Sequence, residues 1–367
     1  MVSSVPAGPP DPLRDGDRLD PGIFQFPVER MKAGYYSDKY FVRTRDLLIA
    51  DGHDPVVTMQ VFQKHRAWVA GTDEAVAILK LCLTDGYAFS DLEVSALRDG
   101  DRVEPWETVM LIRGPYAAFA HLETLYVGVL ARRTKIATRT REVVEAAWPQ
   151  PVLFFPARHD HWMVQTGDGW AAHVAGAIGV STDAQASWWG SEGAGTVPHA
   201  LIAAYGGDTV KATEALVRHM SEDVNIISLV DFENDCVRTS LAVARALGER
   251  LWAVRLDTAE DMVDTSLRGE MGDFDPRGVH PRLVEKVREA LDREGFRHVK
   301  IVVSGGFGAE KIRRFKEANV PVDAYGVGSA LVRGSYDFTA DVVMVGGRPV
   351  AKTGRWYRPN PRMEIVS

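Results

Sequence analysis

The sequence predicts an α/β protein: an N-terminal mixed α/β domain, then a parallel sheet of fewer than eight strands. Three observations carry this. From about residue 131, apolar runs at 152–155, 177–180, 225–230, 252–256, 299–303 and 322–325 alternate with helical stretches. Such alternation argues for a parallel sheet, open or closed. Six or seven candidate strands fall short of a standard eight-stranded barrel. Upstream, the turn Asp99-Gly100-Asp101 joins two short strand patterns beside helical ones, the mark of a mixed layer.

In chain order, residues 1–20 are rich in Pro, Asp, Gly and Ser and lack apolar periodicity, so a disordered arm is expected. Residues 56–69 alternate loosely as a strand, and 74–83 read as a helix. Residues 92–98 and 108–113 flank the Asp-Gly-Asp turn. A helix over 117–130 places Leu122, Leu125, Tyr126 and Val129 on one stripe. Residues 21–130 therefore form the expected first domain and 131–334 the expected barrel domain. In the barrel segment the helix from Pro281 buries Leu283, Val287, Ala290 and Leu291, with Pro281 in its first turn. Residues 341–358 resemble a last hairpin around Gly346-Gly347, and 335–367 are expected to rejoin the first domain.

Composition excludes several classes. The chain has 367 residues, 46% hydrophobic and 25% charged, an ordinary soluble balance. A net charge of −7, with no stretch joining Lys and Arg to aromatics, gives nucleic-acid binding little support. Two cysteines, Cys82 and Cys236, exclude a disulfide framework and any four-cysteine zinc site. No apolar run is long enough to span a bilayer, and no signal-peptide core opens the chain. A cytoplasmic protein without a membrane partner is expected.

The clearest chemical signal lies in residues 299–331. The run Val299, Ile301, Val302, Val303 reads as a buried strand ending in Ser304-Gly305-Gly306. The next strand ends in Gly326-Val327-Gly328-Ser329. Glycine turns at the carboxyl ends of strands expose backbone N–H groups that suit a phosphate. Tight turns needing positive φ are the plainer alternative for either loop alone.

Other residues join them. Arg255 and Asp257 alternate onto one face at the end of a strand, either as a pair lining a barrel or as ligands for an anion and sugar hydroxyls. Asp231 ends the preceding strand and fits a similar part or a helix cap. Gly195-Thr196-Val197-Pro198-His199 runs into a helix, with Thr196 the expected N-cap and His199 beside a helix dipole that favours a neutral ring. A satisfied structural histidine is the alternative. Arg158 follows a strand directly and is a candidate anion contact. His159, Asp160 and His161 lack the usual ligand spacing and supporting ligands, which argues against a metal there. Arg132, Arg133, Lys135, Arg139 and Arg141 read as a solvated helix face unless the ligand carries several phosphates.

Five segments in register, Asp38 to Thr44, Gly195 to Leu201, Val254 to Thr258, Val303 to Gly306 and Gly326 to Ala330, resemble the nicotinate phosphoribosyltransferase family. The resemblance covers about residues 23 to 355. It implies a type II phosphoribosyltransferase fold, an N-terminal α/β domain on an incomplete parallel α/β barrel. The implied reaction makes nicotinate mononucleotide and pyrophosphate from nicotinate and phosphoribosyl pyrophosphate, coupled to ATP hydrolysis, in NAD salvage. The substrates bring Mg²⁺, and no tightly bound cofactor is expected.

By that resemblance His199 is the histidine phosphorylated during coupling, and Asp257 holds the ribose hydroxyls. Ser304, Gly305 and Gly306 with Gly326, Gly328 and Ser329 cradle the 5′-phosphate. Arg158 and Ser181 surround the pyridine ring and its carboxylate, and Arg139 meets the pyrophosphate where relatives carry Lys. Tyr40 stacks on the ring from the partner subunit, which implies a homodimer. Asp183 departs from the family's pattern and would repel a substrate carboxylate. Quinolinate or nicotinamide phosphoribosyltransferase, or a non-catalytic phosphate-binding barrel, are the alternatives.

Overall fold

The computed structural model describes residues 9, 18–222, 224–272 and 274–366. Those residues divide into two compact units. One takes 142–169 and 177–333, and the other takes the described residues of 10–141, 170–176 and 334–367. The division falls inside one helix, at 141/142, where the sequence places its domain boundary at 130. Of the expected arm, residues 1–8 and 10–17 lie outside the described residues. Arg18 is fastened to Asp73 by an ion pair of 2.7 Å.

Six strands build the first unit: β1 (Val152–Phe154), β2 (Gly179–Val180), β3 (Ile226–Leu229), β4 (Leu251–Leu256), β5 (Lys300–Val303) and β6 (Ala324–Val327). All pair in parallel, in the order β2-β1-β6-β5-β4-β3. Each strand therefore neighbours the next in sequence except at one place. β6 returns to β1, and the sheet curls into a barrel left open between β2 and β3. This is the incomplete parallel α/β barrel expected from the sequence.

Burial explains the strands. Ile301, Val302 and Val303 of β5 are all buried, as strands covered on both faces must be. Helix Pro281–Arg293 buries Leu283, Val284, Val287, Ala290 and Leu291, a stripe at helical spacing. Each such leucine taken out of water contributes about 1.5–3 kcal/mol. His280 caps that helix by accepting from Arg282 N at 3.1 Å.

Register positions the site. Leu256 pairs with Val303, and Val303 with Tyr325. The next residue on each strand, Asp257, Ser304 and Gly326, therefore comes level at the carboxyl edge of the sheet.

The second unit is an antiparallel six-stranded sheet with helices. Its strands run in the order Arg348–Pro349, Phe338–Val345, Val56–Gln63, Thr108–Pro115, Glu93–Ala96, Glu364–Val366. C-terminal strands thus form both edges, and Gly346-Gly347 turns the hairpin at positive φ. The helix expected over 117–130 begins as Tyr116–Phe119, passes through a 3₁₀ turn at Ala120–Leu122 and runs on as Glu123–Ala147, because no glycine or proline interrupts it after Gly128. That length draws the basic cluster into the unit. Arg133 is nearly buried and pairs with Glu74 at 2.8 Å, so this cluster is not simply a solvated face. Among the described residues no helix is long and apolar enough to cross a membrane.

Candidate functional site

The barrel unit holds a cavity of about 550 Å³ at the carboxyl ends of its strands. Arg158, Ser181, His199, Arg255, Asp257, Ser304, Gly305, Gly306, Gly326, Gly328 and Ser329 all line it. The three glycine turns expected from the sequence therefore meet at one mouth. Asp231 joins them through His199.

Asp257 is held at both oxygens. Ser304 Oγ donates to Oδ1 at 2.6 Å, and Arg255 Nη2 donates to Oδ2 at 3.1 Å. Arg255 also donates through Nε to Ser304 Oγ at 2.8 Å and through Nη1 to Thr196 Oγ1 at 2.7 Å. Its guanidinium lies 5.5 Å from the centre of the Phe155 ring. One cation thereby ties β4, β5 and the Gly195 loop together and fixes the carboxylate. A rotamer locked in this way costs little further entropy when a ligand arrives.

The turns present free donors. Among the described residues, the N–H groups of Gly305, Gly306, Gly328 and Ser329 have no hydrogen-bond partner. Gly305 and Gly306 have φ of 82° and 66°, the left-handed region where glycine alone is unstrained. Gly326 meets a different demand: a Cβ there would stand 2.8 Å from the Phe155 ring. Lys311 Nζ reaches Gly305 O at 3.2 Å, and burial lowers its pKa against the opposing charge of Glu260.

His199 opens the helix His199–Ala204, but Pro198 is its N-cap and Thr196 is not, since the Thr196 hydroxyl serves Arg255. Six residues make a weak dipole. The ring is oriented instead by Asp231, whose Oδ2 lies 3.0 Å from Nε2. Asp231 is 7% exposed and His199 is 46% exposed. Burial raises the Asp231 pKa while His199 opposes the rise, and Asp231 Oδ1 is buried with no partner among the described residues. The cap of the following helix, Cys236–Leu247, is Asp235, so capping is not the role of Asp231.

Arg158 stands in a 3₁₀ turn, Ala157–His159, directly after β1, and has no hydrogen-bonded or ion-paired partner among the described residues. His159 beside it also lines the cavity, with its pKa lowered by burial and by Arg158 and Arg333. Ser181 donates through N and Oγ to Gln185 Oε1 at 3.0 and 3.1 Å. Asp183 is not in the cavity wall. Its Oδ1 accepts from Gly193 N at 2.9 Å.

Tyr40 and Arg139 belong to the other unit. Tyr40 is 61% exposed on helix Lys39–Ala50, and Arg139 lies 5.7 Å from the Tyr336 ring centre. Sequence reasoning missed Phe155, Thr182, Thr196 and Phe307 as lining residues. Phe155 and Phe307 each adjoin a flagged strand end, which is the signal that could have found them. Among the described residues no group of three or more His, Cys, Asp or Glu could hold a metal ion.

Comparison with known proteins agrees with this fold. Residues 38–134 match the family model described as the N-terminal domain of quinolinate phosphoribosyl transferase. The chain is 32% identical over 278 residues to nicotinate phosphoribosyltransferase pncB1 of Mycobacterium tuberculosis, covering 73% of this chain and 57% of that relative. It thus spans little more than half the length of that curated relative. The crystal structure of nicotinate-nucleotide pyrophosphorylase from Pyrococcus furiosus superposes with a TM-score of 0.77 at 32% identity, covering 94% of this chain and 86% of that one. Human nicotinic acid phosphoribosyltransferase shares the fold, with a TM-score of 0.64 at 17% identity over 86% of this chain and 75% of that one. With a barrel open on one side, an antiparallel N-terminal sheet and the Pyrococcus furiosus relative, the chain belongs to the type II phosphoribosyltransferase family.

Proposed function

We propose that the barrel cavity transfers a phosphoribosyl group from phosphoribosyl pyrophosphate to nicotinate. One observation carries the reading: free amides of two glycine turns, a carboxylate fixed at both oxygens and an unpartnered guanidinium converge on one cavity. The amides of Gly305, Gly306, Gly328 and Ser329 suit the 5′-phosphate. Asp257 accepts from the ribose hydroxyls, and Arg158 meets the single carboxylate of the pyridine.

The chemistry is a displacement. The pyridine nitrogen forms the new bond to the anomeric carbon, the carbon–oxygen bond to pyrophosphate breaks, and its electron pair leaves with pyrophosphate. No proton is transferred, so alignment and charge stabilisation dominate. Mg²⁺ would arrive with phosphoribosyl pyrophosphate as part of the substrate and would neutralise charge on the departing pyrophosphate.

ATP coupling through His199 belongs to the same proposal. A carboxylate only accepts, so pairing with Asp231 puts the proton on Nε2 and leaves the Nδ1 lone pair free. Nδ1 attacks the terminal phosphorus of ATP, ADP departs, and the phosphohistidine is later hydrolysed.

The matched N-terminal domain model and the Pyrococcus furiosus structure favour a second reading, a quinolinate enzyme that releases carbon dioxide. Incubation with phosphoribosyl pyrophosphate and nicotinate, nicotinamide or quinolinate, with and without ATP, separates the two. Nicotinate mononucleotide formed from nicotinate and stimulated by ATP supports the proposal. Product from quinolinate alone, with carbon dioxide, overturns it.

A further inference from the structure

The N-terminal unit carries a second built cavity, of about 250 Å³, that shares no residue with the first. It arises from strand alternation. Along Val56–Gln63, Val57, Met59 and Val61 enter the hydrophobic core, so Thr58, Gln60 and Phe62 face the other side of the sheet. Gln60 and Phe62 are nonetheless buried, because the segment 354–360 lies across that face.

Gln60 holds the segment in place. Its Nε2 donates to Trp356 O at 3.3 Å, and its Oε1 accepts from Arg358 N at 2.7 Å. Asn360 Nδ2 adds a bond to Thr108 O at 3.0 Å. With the backbone fixed on both sides of Tyr357, the side chains of Trp356 and Arg358 are displayed at the cavity.

Two indoles stay largely uncovered there, Trp106 at 43% and Trp356 at 57% exposure. Trp106 stacks on Phe62 at 5.6 Å and has a φ of 70°, a left-handed conformation rarely taken by a bulky side chain. The cations differ. Arg355 lies 5.4 Å from both the Phe62 and Trp106 ring centres, and Asp341 neutralises it at 2.8 Å. Arg358 lies 5.0 Å from the Trp356 ring centre and has no carboxylate partner among the described residues.

We propose that this cavity binds a mononucleotide, its base against the indoles and its phosphate on Arg358. Exposed indoles favour a planar ring. The uncompensated guanidinium, in a chain of net charge −7, favours an anion. The volume admits one ring system with its anionic group at the mouth. This site is independent of the reaction assigned to the barrel.

Fluorine NMR of the full chain labelled with 5-fluorotryptophan tests it. Trp106→Phe and Trp356→Phe assign the two resonances, and no tryptophan lines the barrel cavity. Adenosine 5′-monophosphate is the probe, with adenosine and ribose 5-phosphate as its halves. Both resonances are expected to shift saturably, and Arg358→Ala to weaken binding by about tenfold or more. That variant leaves the backbone bonds of Gln60 intact, so the segment remains in place. Absence of a shift at about 10 mM nucleotide would overturn the proposal, since affinity that weak is no site. An unchanged response in Arg358→Ala would also overturn it. So would a shift on raising protein concentration alone, which would make the cavity a contact with a second copy of the chain.

Discussion

Ser304 Oγ donates to Asp257 Oδ1 at 2.6 Å, a bond between neighbouring strand ends that register alone brings level. It holds the carboxylate facing the cavity. Asp257→Asn keeps the shape and removes the charge. Turnover in the transferase assay should fall about 10²–10³-fold, with far-UV circular dichroism unchanged. Near-normal turnover would remove Asp257 from the reaction.

Arg158 has no partner among the described residues, so its charge is available to a substrate carboxylate. Arg158→Ala should raise KM for nicotinate by about 10–100-fold while changing kcat little. The same variant should leave KM for an uncharged pyridine amide nearly unchanged, which separates charge recognition from general damage.

His199 and Asp231 share a bond of 3.0 Å that sets the ring's tautomer. With labelled ATP, acid-labile and base-stable label should appear on the protein and be absent in His199→Ala. Asp231→Asn should slow labelling by about tenfold or more. Basal transfer without ATP should survive both changes.

At Gly306 an added Cβ would overlap Glu260 Oε1, at a φ of 66°. Gly306→Ala should cost about 1–3 kcal/mol of stability and raise KM for phosphoribosyl pyrophosphate. Adding Glu260→Ala should recover the part due to the clash and leave the part due to φ, a double-mutant cycle read by thermal unfolding.

Glu123 gives the pH dependence. Burial, with Asp341 and Asp38 adding to it, raises its pKa from 4.5 to about 8. Between those values the folded state keeps a proton that the unfolded chain has released. Stability from this group therefore falls as pH rises through that window and levels off above it. Glu123→Gln should flatten the slope and be more stable at alkaline pH by a few kcal/mol at most, roughly the linkage value.

Much of the barrel was legible because its strands are short β-branched runs, and Val299–Val303 reads as a buried strand wherever it pairs. The glycine turns were legible for the same reason, since they end those runs. Closure of β6 on β1 was not, because strand pairing across about 170 residues leaves no local pattern. Nor was the tie of Arg255 to Thr196, 59 residues apart, which made Thr196 look like a cap. The helix Glu123–Ala147 was read too short because its basic half lacks an obvious apolar stripe. Arg133 is buried there against Glu74, 59 residues away in the sequence.

The central claim is that the amides of the glycine turns grip a sugar phosphate. Amide-resolved NMR during titration with phosphoribosyl pyrophosphate tests it most directly. The Gly305, Gly306, Gly328 and Ser329 signals should move together, saturate at one stoichiometric ligand and stay still in Gly306→Ala at the same concentration. Signals that remain fixed while the enzyme turns over would place the phosphate elsewhere and contradict the account.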